Sequence, residues 1–277
     1  MAGVVPVAGQ ELDFSFPWHD SLIPISKDYL AVEHAAYECA AAGCETIWVV
    51  CHSDMQPVIR HRLGEWVIDP LSIGRGPLSS TGEKKIPIFY VPIHPKDRYK
   101  KDCLGYSALY GALTAYHISS GLSKWVIPDK YYVSFPYGAY QLEEVIAGRK
   151  KFSSAKNYLL TCQGRSVKNN HYLGFTFGAE DFKRCRDIIK KESTALLDRH
   201  GRRLPIEKRY SAQHFLLDKV FEGAIIDGEI EVPWYHSVDS WDNYKTYLSS
   251  QHSDLITRPE KMTYGEWNPI GHDGEEV

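Results

Sequence analysis

The apolar positions of this chain alternate between two periods. Val4-Val5-Pro6-Val7-Ala8 is a short apolar run ending in Gly9, which predicts a strand. Over residues 29–42 the apolar positions Leu30, Val32, Ala35, Ala36 and Cys39 recur at helical spacing, and Gly43 stands where a helix closes. Ile47-Trp48-Val49-Val50-Cys51 is a continuous apolar run, as expected of a strand buried on both faces. Residues 55–63 predict a second short helix stopped by Gly64, and 71–85 a loop. Residues 86–93 predict the next strand, 106–119 a helix, and 124–129 a strand that ends on Asp129. A strand–helix alternation of this length implies a mostly parallel α/β sheet with helices on both faces.

The second half is mixed. Residues 158–162 and 172–177 predict strands joined by a polar turn. Helices are expected over 179–197, 212–222 and 240–250, the last begun by Asp239 or Ser240, and a strand over 225–232. Residues 1–250 therefore read as one domain. Residues 251–277 are polar, without periodicity, and read as a wrapped or loosely ordered tail.

Composition narrows the function. The net charge of −3 excludes a protein that coats nucleic acid by bulk charge, so any such contact needs a local patch. No apolar run reaches the ~18–20 residues of a membrane span. The first ten residues have no basic n-region, so no secretory signal is expected there. The six cysteines show no CxxC pair and no zinc spacing, which predicts buried free thiols in a reducing cytoplasm. The 18 Tyr, 7 Trp and 10 Phe suit stacking on a sugar or base as well as an ordinary core.

Several segments together resemble the sugar nucleotidyltransferases and related GT-A-fold glycosyltransferases. They are Val5-Pro6-Val7-Ala8-Gly9, Leu22-Ile23-Pro24-Ile25 and Ala42-Gly43-Cys44-Glu45-Thr46-Ile47-Trp48-Val49-Val50. Ile127-Pro128-Asp129 is similar to that superfamily's strand-end metal acid. Val238-Asp239-Ser240-Trp241-Asp242-Asn243-Tyr244 resembles its later DxGTxxDY-like segment, and residues 172–177 resemble its GfxxF strand. The resemblance covers about residues 4–250 in order. It implies a Rossmann-like nucleotide-diphospho-sugar transferase fold. It also implies a nucleotide-sugar or NTP ligand, and Mg²⁺ or Mn²⁺ held by Asp129 and Asp239. Ala8 and Gly9 would contact the nucleotide. The chain is also similar to uncharacterised proteins of tailed phages, which implies a viral enzyme in a host cytoplasm.

The chain departs from the nucleotidyltransferase pattern after Gly9. The Gly-x-Gly-x-Arg and Pro-Lys residues that admit and neutralise a triphosphate are absent, and Glu11, Asp13 and Asp20 stand nearby. That argues for a diphosphate donor bound through a metal, and so for glycosyl transfer to a hydroxyl. His19 or Asp20 is the candidate general base, or part of a merely polar loop. Lys96 and Arg98 are candidate phosphate partners, or a solvated run. Asp129 reads equally as a turn residue, Asp239 as a helix cap and Gly9 as a tight turn. The basic segments 96–101 and 199–209 raise DNA as an acceptor, a hydroxyl on a modified base. Nucleotidyl transfer making an NDP-sugar and a non-catalytic binding protein are the alternatives.

Overall fold

The computed structural model describes residues 1–9, 16, 18–72, 83–94, 103–194, 200, 202 and 216–259, with backbone alone at 125 and 190–194. Twelve strands are described: β1 (Ala2–Pro6), β2 (Pro24–Ser26), β3 (Tyr29–Leu30), β4 (Thr46–Cys51), β5 (Trp66–Ile68), β6 (Lys85–Pro92), β7 (Lys130–Val133), β8 (Gly138–Ala139), β9 (Tyr158–Thr161), β10 (Phe175–Gly178), β11 (Gly228–Glu231) and β12 (His236–Ser237). The helices are α1 (Ala31–Ala41), α2 (Gln56–Leu63), α3 (Leu104–Leu122), α4 (Glu143–Phe152), α5 (Ala179–Thr194), α6 (Leu217–Val220) and α7 (Trp241–Leu248). The main sheet has eight strands in the order β11-β9-β10-β7-β1-β4-β6-β5. β1 pairs in parallel with both β4 and β7, and β4 with β6. β10 runs antiparallel between β7 and β9, and β5 antiparallel to β6.

Alternate side chains of the inner strands feed two cores. Val5, Ile47, Val49 and Cys51 face α1, α2 and α4, whereas Val4, Trp48 and Val50 face α3 and α5. This is why the 47–51 run lacks a polar alternation. All six cysteines are free and buried, as the spacing predicts.

A buried carboxyl ties α1 to the centre of the sheet. Glu38 Oε1 accepts the Tyr132 hydroxyl at 2.6 Å and Oε2 accepts the Ser134 hydroxyl at 2.5 Å. Glu38 is fully buried. Burial pushes its pKa up to about 7, against the hydrogen bonds from Ser134 and Tyr132. Gly174 completes the knot, since its N–H donates to Tyr140 Oη at 3.3 Å. A Cβ there would lie 2.2 Å from Glu38 Oε1 and 2.4 Å from Tyr132 Oη.

One expected strand is displaced. Residues 124–126 form a 3-10 turn, and β7 starts at Lys130, after Asp129 rather than before it. Pro128 has no amide for the ladder, while Tyr131-Tyr132-Val133 pairs with Ala2-Gly3-Val4. The buried Lys130 fixes this register. Its ammonium donates to the carbonyls of Phe152 (2.9 Å), Ser154 (2.8 Å) and Lys156, just past α4, where a cation is favoured. Smaller differences accompany the displaced strand. Strand β5 and helix α4 are additional to the sequence expectations. β10 starts at Phe175 instead of 172, and residues 29–30 pair with β2 before α1 begins. The strand expected over 225–232 is confined to β11, and of the helix expected over 212–222 the described part is α6 followed by a 3-10 turn.

The start of the tail packs on the domain. His252 Nδ1 lies 2.8 Å from His236 Nε2, and Trp234 stacks on the His252 ring at 4.6 Å. Ile256 is buried, and Arg258 reaches Glu33 at 3.4 Å.

Two predictions come from the Glu38 knot. A carboxyl whose folded pKa is raised keeps its proton between about 4.5 and 7 while the unfolded chain has lost it. Stability therefore falls as pH rises through that window, by at most roughly 3 kcal/mol. Glu38→Gln should shrink the loss between pH 5 and 8 by that order, in urea melts of both proteins; equal losses would remove the buried proton from the account. Gly174→Ala should destabilise by about 1–3 kcal/mol through overpacking, read as a lower urea midpoint with an unchanged slope.

Candidate functional site

The carboxyl ends of β1, β4, β6, β7 and β9 open on one side of the sheet, where open α/β proteins take their ligands. The floor is the turn after β1. The Val7 and Ala8 amides both donate to the Val50 carbonyl, at 2.8 and 3.0 Å. The Val7 carbonyl accepts the Tyr137 hydroxyl at 2.7 Å, and the Ala8 carbonyl accepts the Ser107 hydroxyl at 2.6 Å. Gly9 then turns with φ +92°, and a Cβ there would lie 2.4–2.7 Å from the Cys103 backbone. The turn is thus pressed against the N-terminus of the 19-residue α3. That terminus is capped by Cys103 Sγ accepting the Tyr106 N–H. Exposed amides and the helix dipole at such an end favour phosphate.

His19 and Asp20 stand at one wall, beside His52 and Asp54 after β4. His19 Nδ1 accepts the Ser21 backbone N–H at 3.2 Å and so caps the 3-10 turn of Asp20–Leu22. Burial and then the His52 charge lower its pKa to about 4, with Asp54 opposing. The ring is neutral at pH 7. Nδ1 also lies 2.8 Å from Ser21 Oγ and 3.1 Å from Asp20 Oδ1, so this is the nitrogen that the loop engages. Nε2 is the nitrogen left for a ligand: a donor when Nδ1 accepts, an acceptor when Nδ1 donates to Asp20. Asp20 is 1% exposed and its Oδ1 accepts the Ser21 N–H at 3.0 Å. With Nδ1 beside Asp20, His19 keeps Nε2 for proton transfer, whereas the buried Asp20 serves the loop.

Asp239 stands at the opposite wall. The Val238 amide donates to the Tyr137 carbonyl at 2.8 Å, which hangs Asp239 beside the β1 turn. Its Oδ1 accepts from Ser237 Oγ and from Asn243 Nδ2. Among the described residues its Oδ2 has no partner. Ser240, not Asp239, caps α7 through the Asn243 N–H. Sequence reasoning missed Arg165, which follows the tight turn at the end of β9. The charge of Arg165 reaches His171, Tyr235 and His236, and burial followed by Arg165 lowers the pKa of His171. The left-handed Gln163-Gly164 pair that aims Arg165 was the one available signal.

Asp129 is not brought to this site. It is exposed at the amino end of β7, and four residues of strand put about 13 Å between it and the carboxyl end. It cannot share an ion with Asp239. The chain that does follow β7 into the site, Ser134-Phe135-Pro136, carries no acid. Among the described residues no group of three metal-ligating side chains occurs. A single open carboxylate suits Mg²⁺ that arrives on phosphates and keeps its waters, rather than a resident ion. Lys96 and Arg98 lie outside the described residues, as do the basic segments around them and most of 199–209. No helix among the described residues is long and apolar enough to cross a membrane.

A mostly parallel sheet of this order, with helices on both faces, is a Rossmann-like nucleotidyltransferase fold. The crystal structure of an apo UDP-glucose pyrophosphorylase matches it with a TM-score of 0.51, covering 92% of this chain and 99% of that one at 11% identity. A UTP-bound UDP-glucose pyrophosphorylase from Acinetobacter baumannii matches with a TM-score of 0.50, covering 89% and 91% at 12% identity. At these identities the likeness is one of fold. No family model and no curated protein matches the sequence.

Gly9→Ala should open the turn against Cys103 and weaken nucleotide binding about tenfold or more, measured by isothermal titration. Unchanged affinity for every nucleotide that binds the parent would remove this turn from the phosphate site.

Proposed function

We propose that the chain is a nucleotidyltransferase that joins a nucleoside triphosphate to a sugar phosphate and releases pyrophosphate. The observation that carries this reading is the shared fold: two UDP-glucose pyrophosphorylases match nearly the whole chain, and the turn after β1 meets the α3 N-terminus, where phosphates would sit. Glycosyl transfer to a hydroxyl calls for a base at the acceptor, for which His19, with Asp20 at 3.1 Å, is the candidate. A sugar phosphate needs no base, because its oxygen is already ionised at neutral pH. That oxygen attacks the α-phosphorus in line. The new P–O bond forms as the bond to the β-phosphate oxygen breaks, and the electron pair leaves on pyrophosphate.

Such a reaction asks mainly for positioning and charge stabilisation. The β1 turn at Ala8 and Gly9, with the α3 N-terminus, would hold the phosphates. The His19 Nε2–H would donate to one of their oxygens. Arg165 would hold the sugar phosphate at the opposite wall, and Lys96 and Arg98 are the further cations expected from sequence. Asp239 would hold Mg²⁺, which neutralises phosphate charge when bound. The fold likeness to two UDP-glucose pyrophosphorylases, one bound to UTP, favours the same chemistry.

Glycosyl transfer from an NDP-sugar is the second reading. The acids of the loop after Gly9 and its missing arginine and lysine favour it. A DNA acceptor rests on basic segments that lie largely outside the described residues.

The test incubates the protein with each NTP, a panel of sugar 1-phosphates and Mg²⁺, and measures pyrophosphate and NDP-sugar. Equal yields of the two are expected. Arg165→Ala and Asp239→Asn should each lower kcat/KM about 10²-fold or more with little change in melting temperature. Turnover of an NDP-sugar with no NTP-dependent pyrophosphate would replace this reading with the second one.

A further inference from the structure

A cavity lies against the first turns of α1. It has a volume of about 270 Å³, between α1, the start of α4 and residues 255–259. Two of its lining groups are buried and orphaned. His34 is 3% exposed and Tyr29 is 1% exposed. The Tyr29 hydroxyl and at least one His34 ring nitrogen form no hydrogen bond. The Tyr140 backbone approaches His34, but it can serve only one of the two nitrogens. A buried polar atom left unpaired is costly, so two such side chains on one cavity point to an occupant.

The walls define its chemistry. Tyr29 and Tyr140 hold His34 edge-on from two sides, with ring centroids at 5.7 and 5.8 Å, and Tyr37 adds a further ring. The polar groups include both donors and acceptors. Gln141 Oε1 accepts from the Trp234 indole, which leaves its amide N–H groups for a ligand. Glu143 brings a carboxylate. No Lys or Arg is among the described residues that line the cavity, and the nearby Arg258 is directed to Glu33. A phosphate or other anion is therefore disfavoured. The volume is just below the ~300–1,000 Å³ usual for ligand sites, which suits a single ring. Aromatic faces beside an acid, an amide and an imidazole fit CH groups and hydroxyls together.

We propose that this cavity is a binding site for one uncharged saccharide ring, separate from the cleft at the carboxyl ends of the sheet. It stands whatever reaction that cleft performs. Its wall is connected to the segment that bears Asp239. Tyr140 directly follows β8, which pairs with β12, and β12 ends two residues before Asp239. Tyr140 also lies 6.2 Å from the ring of Tyr235, whose hydroxyl accepts the Tyr172 amide in the cleft wall.

The experiment is a thermal melt of the full chain with glucose, galactose, mannose and N-acetylglucosamine at about 10 mM, with the hexose 1-phosphates and uridine in parallel. A Kd of about 1 mM would raise Tm by roughly 2–5 °C. At least one neutral sugar should produce this shift. His34→Phe keeps a ring without the nitrogens and should fold as well as the parent, yet lose the shift. Glu143→Gln, at the exposed mouth, should weaken it, and it decides the matter if His34→Phe does not fold. Arg165→Ala, in the cleft, should leave it intact. A shift from hexose 1-phosphates or uridine alone would overturn the proposal. So would a sugar shift that His34→Phe and Glu143→Gln retain. No shift with any neutral sugar would mean that the cavity holds only water, and would overturn it too.

Discussion

The Glu38 carboxyl is the contact on which the centre of the molecule depends. It sits where α1, β7 and the chain into β10 meet, and takes hydrogen bonds from Tyr132 and Ser134 on the strand that leads into the cleft. An apolar residue in its place would leave two buried hydroxyls to find other partners. The same crowding demands Gly174, because no Cβ fits between the carboxyl and the Tyr132 ring. From Ser134 the chain passes to Tyr137, which binds the Val7 carbonyl with its side chain and the Val238 amide with its backbone. A single line of contacts therefore runs from α1 to both the β1 turn and the Asp239 segment. The two halves of the cleft are set by one buried knot, not by two independent loops.

The alternation of strands and helices was legible because both periods are strong in the first half. Residues 47–51 and the Ala-rich α1 admit one reading each. The failures share a cause. Residues 124–129 look like a strand from composition, yet pairing with β1 and the anchoring of Lys130 decide where β7 begins. A shift of a few residues then moves Asp129 from the carboxyl to the amino end of the sheet, and its expected role with it. Short strands such as β8 and β12 exist only through their partner, so no local pattern could announce them. The helix after Asp239 was legible because Ser240 caps it in the ordinary way. Arg165 was not, because two of the three groups that its charge reaches, Tyr235 and His236, are distant in sequence.

The acids after Gly9 first weighed against a triphosphate, and the structure changes the weight of one of them. Asp20 is buried and its Oδ1 serves the 3-10 turn, so it is not an open charge facing a ligand. Two unit charges about 8 Å apart near a protein surface interact by roughly 1–2 kcal/mol. Repulsion of that size from Glu11 or Asp13 is matched by one arginine at similar range, or by the end of a long helix together with a cation carried on the phosphates. In the proposed site Arg165 would provide the first of these and α3 the second. Charge alone therefore does not forbid a triphosphate in this cleft. The presence or absence of a base then has more weight in choosing between the two transfers, since no arrangement of phosphate contacts can deprotonate a hydroxyl. His19, with Nδ1 engaged by Ser21 and Asp20, keeps only Nε2 for that task, whereas a sugar phosphate arrives already ionised and asks for no base at all.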